Sequence, residues 1–372
     1  VTGKLRKHDL AGWALPLILA AQVAAEPRLA WELVVPGEVR DAAFSAGEDC
    51  VVLTTDAGVS VVELDGEVRW ERRFASVNRW MTAERGAAPA GCGWVAAIGG
   101  PAYKYAWVLA ASGAGRYFRT HGSPVAIAVS RDGDRLAVGT ASGHLQVLDA
   151  GGRLVRDRDL GNGLVEDLDF APDDAHLVVT RGLTGVYTRD GERVWDSGGW
   201  AALSASDDLR RLLVHSRAPH GPASGHVAIL ERDGTRVWQR HGNGPQGGVA
   251  PDGAFVVITD FACGAGELCL GEDAVPGFQV LRPDGTPIEA SPSPVGELVA
   301  VADDAFLLRA WGTPESVVAI SSAGEVLWRL PLPASGGRPL AARRDLGALL
   351  VAGAPHSAPS YLRLYLLAGA QP

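Results

Sequence analysis

Val61-Val62-Glu63-Leu64-Asp65-Gly66-Glu67-Val68-Arg69-Trp70 reads as a β-prone run, an Asp-Gly turn and a second run that ends on tryptophan. Asp-Gly between two such runs is a strong hairpin signal, and it reads here as a primed turn with positive φ at both central residues. The pattern returns as Val186-Tyr187-Thr188-Arg189-Asp190-Gly191-Glu192-Arg193-Val194-Trp195. It returns again around Gly234, with Trp238 four residues on, and around Gly324, with Trp328 four residues on. Degenerate copies end at Gly115, Gly152 and Gly285, where Arg119, Arg156 and Glu289 stand in the tryptophan position. The seven aligned glycines are separated by 49, 37, 39, 43, 51 and 39 residues. A period of that length holding several short strands is the mark of a propeller blade rather than of a helical solenoid.

Working outward from each hairpin, two further strands precede it. The segment 124–149 shows this best: 124–130 alternates, Arg131-Asp132-Gly133-Asp134 turns, 135–140 is apolar, Ala141-Ser142-Gly143 turns, and 144–149 is the third strand. Each blade is therefore expected to carry four strands. The C-terminal run 362–367 is a third strand without a fourth, whereas Arg28-Leu29-Ala30-Trp31-Glu32-Leu33 resembles a fourth strand without a blade. Pairing the two would close the ring and leave no open sheet edge. The expectation is an all-β, eight-bladed propeller over residues 26–372, preceded by a signal peptide at 1–25.

Composition agrees. The chain has 372 residues with 47 glycines and no collagen period, so the glycine excess belongs in turns. The formal net charge of −9 and the lack of a basic patch argue against nucleic-acid partners. Lys4, Arg6 and Lys7, the apolar stretch 10–21 and Val23-Ala24-Ala25 have the three-part pattern of a secretory signal, with cleavage expected after Ala25. No later stretch has the length and apolarity of a membrane span. An exported, periplasmic or extracellular monomer is expected.

Fourth strands of the form Asp-Gly-x-x-x-Trp, with Trp31, Trp70, Trp195, Trp238 and Trp328 docking between blades, resemble the quinoprotein-type (PQQ-like) propeller repeat. The inner strands resemble WD repeats, without their Gly-His opener or Trp-Asp closer. The resemblance covers essentially all of the chain after residue 25. Among exported eight-bladed families, that of the outer-membrane assembly factor BamB is similar in length and repeat count. The chain departs from it in having no cysteine near the expected cleavage site to take a lipid. Quinoprotein dehydrogenases carry a vicinal cysteine pair that this sequence lacks, so no cofactor is expected.

Candidate functional residues follow from loop length. In a four-stranded blade the second-to-third connections leave on one face, and the long ones are 99–106, 216–225, 261–277, 311–315 and 354–360. Long loops on a rigid scaffold commonly carry function. Tyr103, Tyr105, Trp107 and Trp311 are the aromatic binding candidates there, joined by His220, His241 and His356, with His226 close by. No metal centre is expected of these histidines. Cys263 and Cys269, inside the longest loop, are expected to form a disulfide that staples it, whereas Cys50 and Cys92 read better as two buried free thiols. Acidic residues at first-hairpin turns, including Asp132, Asp173, Asp174, Asp207, Asp208, Asp252, Asp303 and Asp304, are assigned to turn chemistry. Asp167 and Asp169 are the exception: two apart on the innermost strand of blade four, they share one face and would line the central channel.

No Gly-x-Ser-x-Gly, His-Glu-x-x-His or phosphate-cradling motif is present. The expected function is a non-enzymatic scaffold that binds a protein partner through the loop-rich face. The alternative is a small-ligand-binding or hydrolytic propeller that uses Asp167 and Asp169 in the channel.

Overall fold

The computed structural model describes residues 26–73, 85–99, 105–112, 114–161, 163–171, 174–181, 184–196, 200–216, 225–242, 246–260, 277–291, 294, 296–312, 314–333, 337–353 and 360–367. These residues form eight antiparallel four-stranded sheets arranged as an eight-bladed propeller. Seven blades are contiguous in sequence, spanning 39–73, 85–119, 124–159, 165–196, 200–242, 246–291 and 296–331. The eighth is composite. Arg28–Val34 pairs with Tyr361–Leu366 and supplies the outermost strand of the sheet that also holds Ala348–Ala352 and Arg338–Ala342. The ring is thus closed by backbone hydrogen bonds between the two ends of the chain, as expected from its orphan strands.

Burial explains why the strand patterns differ along each blade. The second strand of blade one, Cys50–Thr55, is buried at every position, while its outermost strand, Val68–Arg73, is almost wholly exposed. Middle strands are covered on both faces by neighbouring blades, so their sequences are nearly continuous apolar runs. Eight apolar clusters fill the seams. One, with Leu307, Val317, Leu349 and Val351, joins blades seven and eight; another, with Val51, Leu53, Leu350 and Leu364, joins blades eight and one. Each fully buried aliphatic side chain contributes about 1.5–3 kcal/mol.

The hairpin turns obey the Asp-Gly pattern by a different geometry from the one expected. Gly66, Gly191, Gly234, Gly285 and Gly324 have positive φ, whereas the residues before them, Asp65, Asp190, Asp233, Asp284 and Ala323, do not. The N–H of Gly66 donates to the Glu63 carbonyl and the N–H of Glu67 donates to the Asp65 carboxylate. This is a three-residue loop in which only the glycine enters the left-handed region, with a bulge displacing the outer strand by one residue. Bulges recur between the two outer strands of every blade but the second. There, Gly115 already belongs to the strand Gly115–Arg119. Arg116 of this hairpin reaches the next blade, its guanidinium donating to the Gly151 carbonyl at 2.9 Å.

Tryptophans lie at the blade seams. Trp31 lies over Gly66 of blade one and donates its indole N–H to the Leu64 carbonyl at 2.9 Å. Trp195 and Trp238 cover Gly234 and Gly285 of the blades that follow them, and Trp70 and Trp328 pack into their inter-blade clusters.

The turn acids also join blades. Asp132, Asp208 and Asp252 accept backbone N–H groups within their own turns, from Asp134, Arg210 and Ala254. Asp174 instead accepts the N–H groups of Arg131 and Asp132 in blade three, and Asp303 that of Asp252 in blade six. Glu48 accepts the N–H of Arg344, carrying the same link across the seam between blades eight and one.

Cys50 and Cys92 are bonded to each other across the first seam, with their Cα atoms 6.6 Å apart. This corrects the free-thiol reading. The two residues occupy comparable places in adjacent blades, and only the packing of those blades brings them within bonding distance. Cys263 and Cys269 lie outside the described residues.

Candidate site in the central channel and on the loop-bearing face

The innermost strands of the blades wall the channel, and its chemistry follows from which polar side chains they point inward. Val165–Phe170 presents Asp167 and Asp169, Val39–Phe44 presents Asp41, and Arg85–Ala87 begins with Arg85. Arg85 belongs to blade two, yet its guanidinium stands 3.4 Å from the Asp167 carboxylate in blade four, past the intervening blade. At the first-hairpin end, Arg344 of blade eight reaches Asp207 of blade five at 3.0 Å. Three adjoining cavities share Asp169 as a lining residue.

The Asp167 side chain is 70% exposed and Asp169 is exposed too, both to solvent inside the channel, whose walls enclose them. That enclosure is the main cause of their altered acidity. It raises Asp169 to about 6, helped by the neighbouring Asp167 charge and opposed by Arg344. Burial likewise raises Asp167 and Asp41, with Arg85 acting against it at both. Asp207 is raised by burial and held back by Arg344. The channel is therefore a narrow acidic passage bridged by two arginines, and Asp169 is a carboxyl able to hold a proton close to neutral pH. Such a pair can hydrogen-bond a polar ligand or exchange a proton with it.

On the opposite side of the blades, the connections after Ile98, Ser216, Asp260, Ala310 and Ala352 leave from one face. Tyr105 is 38% exposed at the start of its strand, and its ring meets Tyr117 edge-on at 5.6 Å. Tyr117 is itself 71% exposed. Trp311 is 42% exposed just beyond the strand Ala305–Ala310. Trp107 is different: it is buried in the seam between blades one and two, near Cys92 and Trp70, and is a core residue. Trp107 shares a strand face with Tyr105 and Leu109, but it lies further along the strand, where blade one covers that face. Tyr103, His220 and His356 lie outside the described residues, and His241 is placed only by its backbone, opposite His226 in the outer hairpin of blade five.

Residues 93–263 match the family described as "Outer membrane protein assembly factor BamB", a PQQ-type repeat family. The chain carries a PQQ-type propeller repeat domain. No curated protein matches the chain at a significant level. The matched stretch of the PQQ-type domain runs from blade two into blade six and includes Asp167, Asp169 and the exposed Tyr117. Among the described residues of the domain, no helix is long and apolar enough to cross a membrane.

Sequence reasoning placed Asp167 and Asp169 in the channel and missed the residues that face them. Arg85, Asp41 and Arg344 come from other blades, and nothing local marks them. It also missed a group on the rim of the PQQ-type domain, where His121, His144 and Asp157 converge. The one local signal was the pairing of Gln146 with Asp157 in the outer hairpin of blade three, which sets His144 on the same face as that carboxylate.

Proposed function

We propose that this protein is an exported, non-enzymatic propeller scaffold that docks a protein partner through its loop-bearing face and takes part in envelope assembly. The match of residues 93–263 to outer-membrane assembly factors carries this reading. It is supported by the gathering of the long connections on one face, beside Tyr105, Tyr117 and Trp311, since exposed aromatics supply large contact area at little entropic cost. The Cys50–Cys92 bridge supports an oxidising compartment. The test is affinity capture from an envelope fraction with the tagged chain and with a Tyr105→Ala/Tyr117→Ala/Trp311→Ala variant. Recovery of an outer-membrane assembly component, reduced at least tenfold by the triple variant, is expected. Equal recovery by both chains removes the assigned face, and recovery of no such component removes the function.

The channel favours a second reading, in which a small polar ligand binds between Asp167, Asp169 and Arg344. A ligand present at 100 times its dissociation constant would add ~2.7 kcal/mol of stability. Thermal shifts against sugars, quinones and divalent ions, abolished by Asp169→Asn, would favour this reading over the first.

A further inference from the structure

His121 lies in the connection between blades two and three, His144 opens the third strand of blade three, His144–Asp149, and Asp157 sits on its outermost strand, Leu154–Asp159. Their candidate ligand atoms all lie within 4.8 Å of one another. Both imidazoles address one carboxylate through the same ring atom: His121 Nδ1 is 2.6 Å from one Asp157 oxygen, and His144 Nδ1 is 3.1 Å from the other. The rings meet edge-on with centroids 5.0 Å apart. A tetrahedral cation with ligands at 2.0–2.1 Å sets its donor atoms about 3.3 Å from each other, so this spacing needs only small side-chain shifts to close on an ion.

The supporting shell is already built. Gln146, 4% exposed, donates from Nε2 to Asp157 at 3.2 Å and accepts the His121 backbone N–H on Oε1 at 3.2 Å. The Ser142 hydroxyl donates to the His121 carbonyl, so both backbone polar groups of this connecting residue are held. His144 is held through its own N–H, which donates to the Thr140 hydroxyl at 3.0 Å. Gly122, next to His121, has φ of +135° and packs so closely on Ser142 that a Cβ there would stand 2.3 Å from its hydroxyl oxygen. Hydrogen bonds that fix ligand orientation in this way are the usual outer layer of a metal site. His121 remains solvent-exposed, leaving room for water or a further donor.

We propose that His121, His144 and Asp157 form a three-ligand site for a divalent transition metal of the zinc class. Two imidazoles and one carboxylate suit zinc, nickel, copper or cobalt and are poor ligands for calcium or magnesium. The ion would tie the segment entering blade three to that blade's outer hairpin, on the loop-bearing face, with an open position for water or for a donor from another molecule. The inference stands apart from the proposed function and does not depend on it.

The test is calorimetric titration of the tag-free chain with zinc, with cobalt absorbance as a report of coordination. One ion per chain is expected, with a tetrahedral cobalt spectrum. Asp157→Asn, which keeps the size and much of the hydrogen bonding of the side chain, and His121→Ala, at an exposed position, should each weaken binding at least tenfold. Both variants should melt within about 2 °C of the parent in chelator, which separates lost ligation from lost folding. His226→Ala should leave the titration unchanged. Absence of a one-to-one phase overturns the site, and so does a phase that survives both Asp157→Asn and His121→Ala.

Discussion

The indole of Trp238 lies so close over Gly285 in the following blade that a Cβ on that glycine would stand 2.0 Å from the indole Cγ and Cδ1. The glycine is also in the left-handed region, with φ of +84°. Two demands, one conformational and one steric, therefore meet at a single position. The same contact is made by Trp195 on Gly234 and by Trp31 on Gly66, so the repeat's tryptophan and its turn glycine are two halves of one inter-blade joint.

Gly285→Ala should destabilise the fold by about 2–4 kcal/mol, adding a left-handed penalty to an overpacking penalty. Gly152→Ala provides the internal comparison. Its φ is +78°, but a Cβ there meets nothing within 4 Å, so only the backbone cost of about 1–2 kcal/mol should appear. Urea midpoints of the two variants separate the terms, and equal losses would refute the packing half of the joint.

The Cys50–Cys92 bridge closes a loop over a sequence separation of 42 residues. Removing it with a Cys50→Ala/Cys92→Ala pair should cost about 4 kcal/mol by the chain-entropy relation. Both residues are fully buried. Thiol alkylation at this pair should thus require unfolding as well as reduction, a sequence of events that mass spectrometry can order.

Asp169 is raised to about 6, above its value in the unfolded chain. The folded state then holds a proton that the unfolded state has released, so stability falls as pH rises from about 4 to about 6 and stays lowered beyond it. Asp169→Asn should remove this decline: its melting temperature should exceed that of the parent at pH 8 and approach it near pH 4. Asp132 works in the opposite sense. Burial pushes it up, but hydrogen bonds from the Asp134 N–H, the Ser130 hydroxyl and Arg189 outweigh that effect and hold it at about 2. Its contribution is present at neutral pH and lost below about pH 4, so Asp132→Asn should flatten the acid limb of the same curve.

Trp107 and Trp311 should respond differently to truncation. Trp107→Ala opens a void in the first seam and should cost about 3–5 kcal/mol. Trp311→Ala, at a 42% exposed position, should change stability by under about 1 kcal/mol while reducing partner capture. Chemical denaturation and capture, measured on both variants, distinguish a core aromatic from a docking one.

The sequence by itself determined the blade count, the ring closure through Trp31's strand and the tryptophan joints. These depend on local signals, a turn glycine and the residue four after it, repeated often enough to override single failures such as the unbulged hairpin of blade two. The inward pair Asp167 and Asp169 was legible for the same reason, since strand alternation sets their face. Tertiary structure alone decided what those residues meet. Arg85 faces Asp167 across 82 residues of chain, Cys92 meets Cys50 across a seam, and His121, in the connection ahead of blade three, meets that blade's outer hairpin. Each of these meetings depends on how blades are rotated and spaced around the ring, a property of the packed apolar seams that no local stretch of sequence encodes.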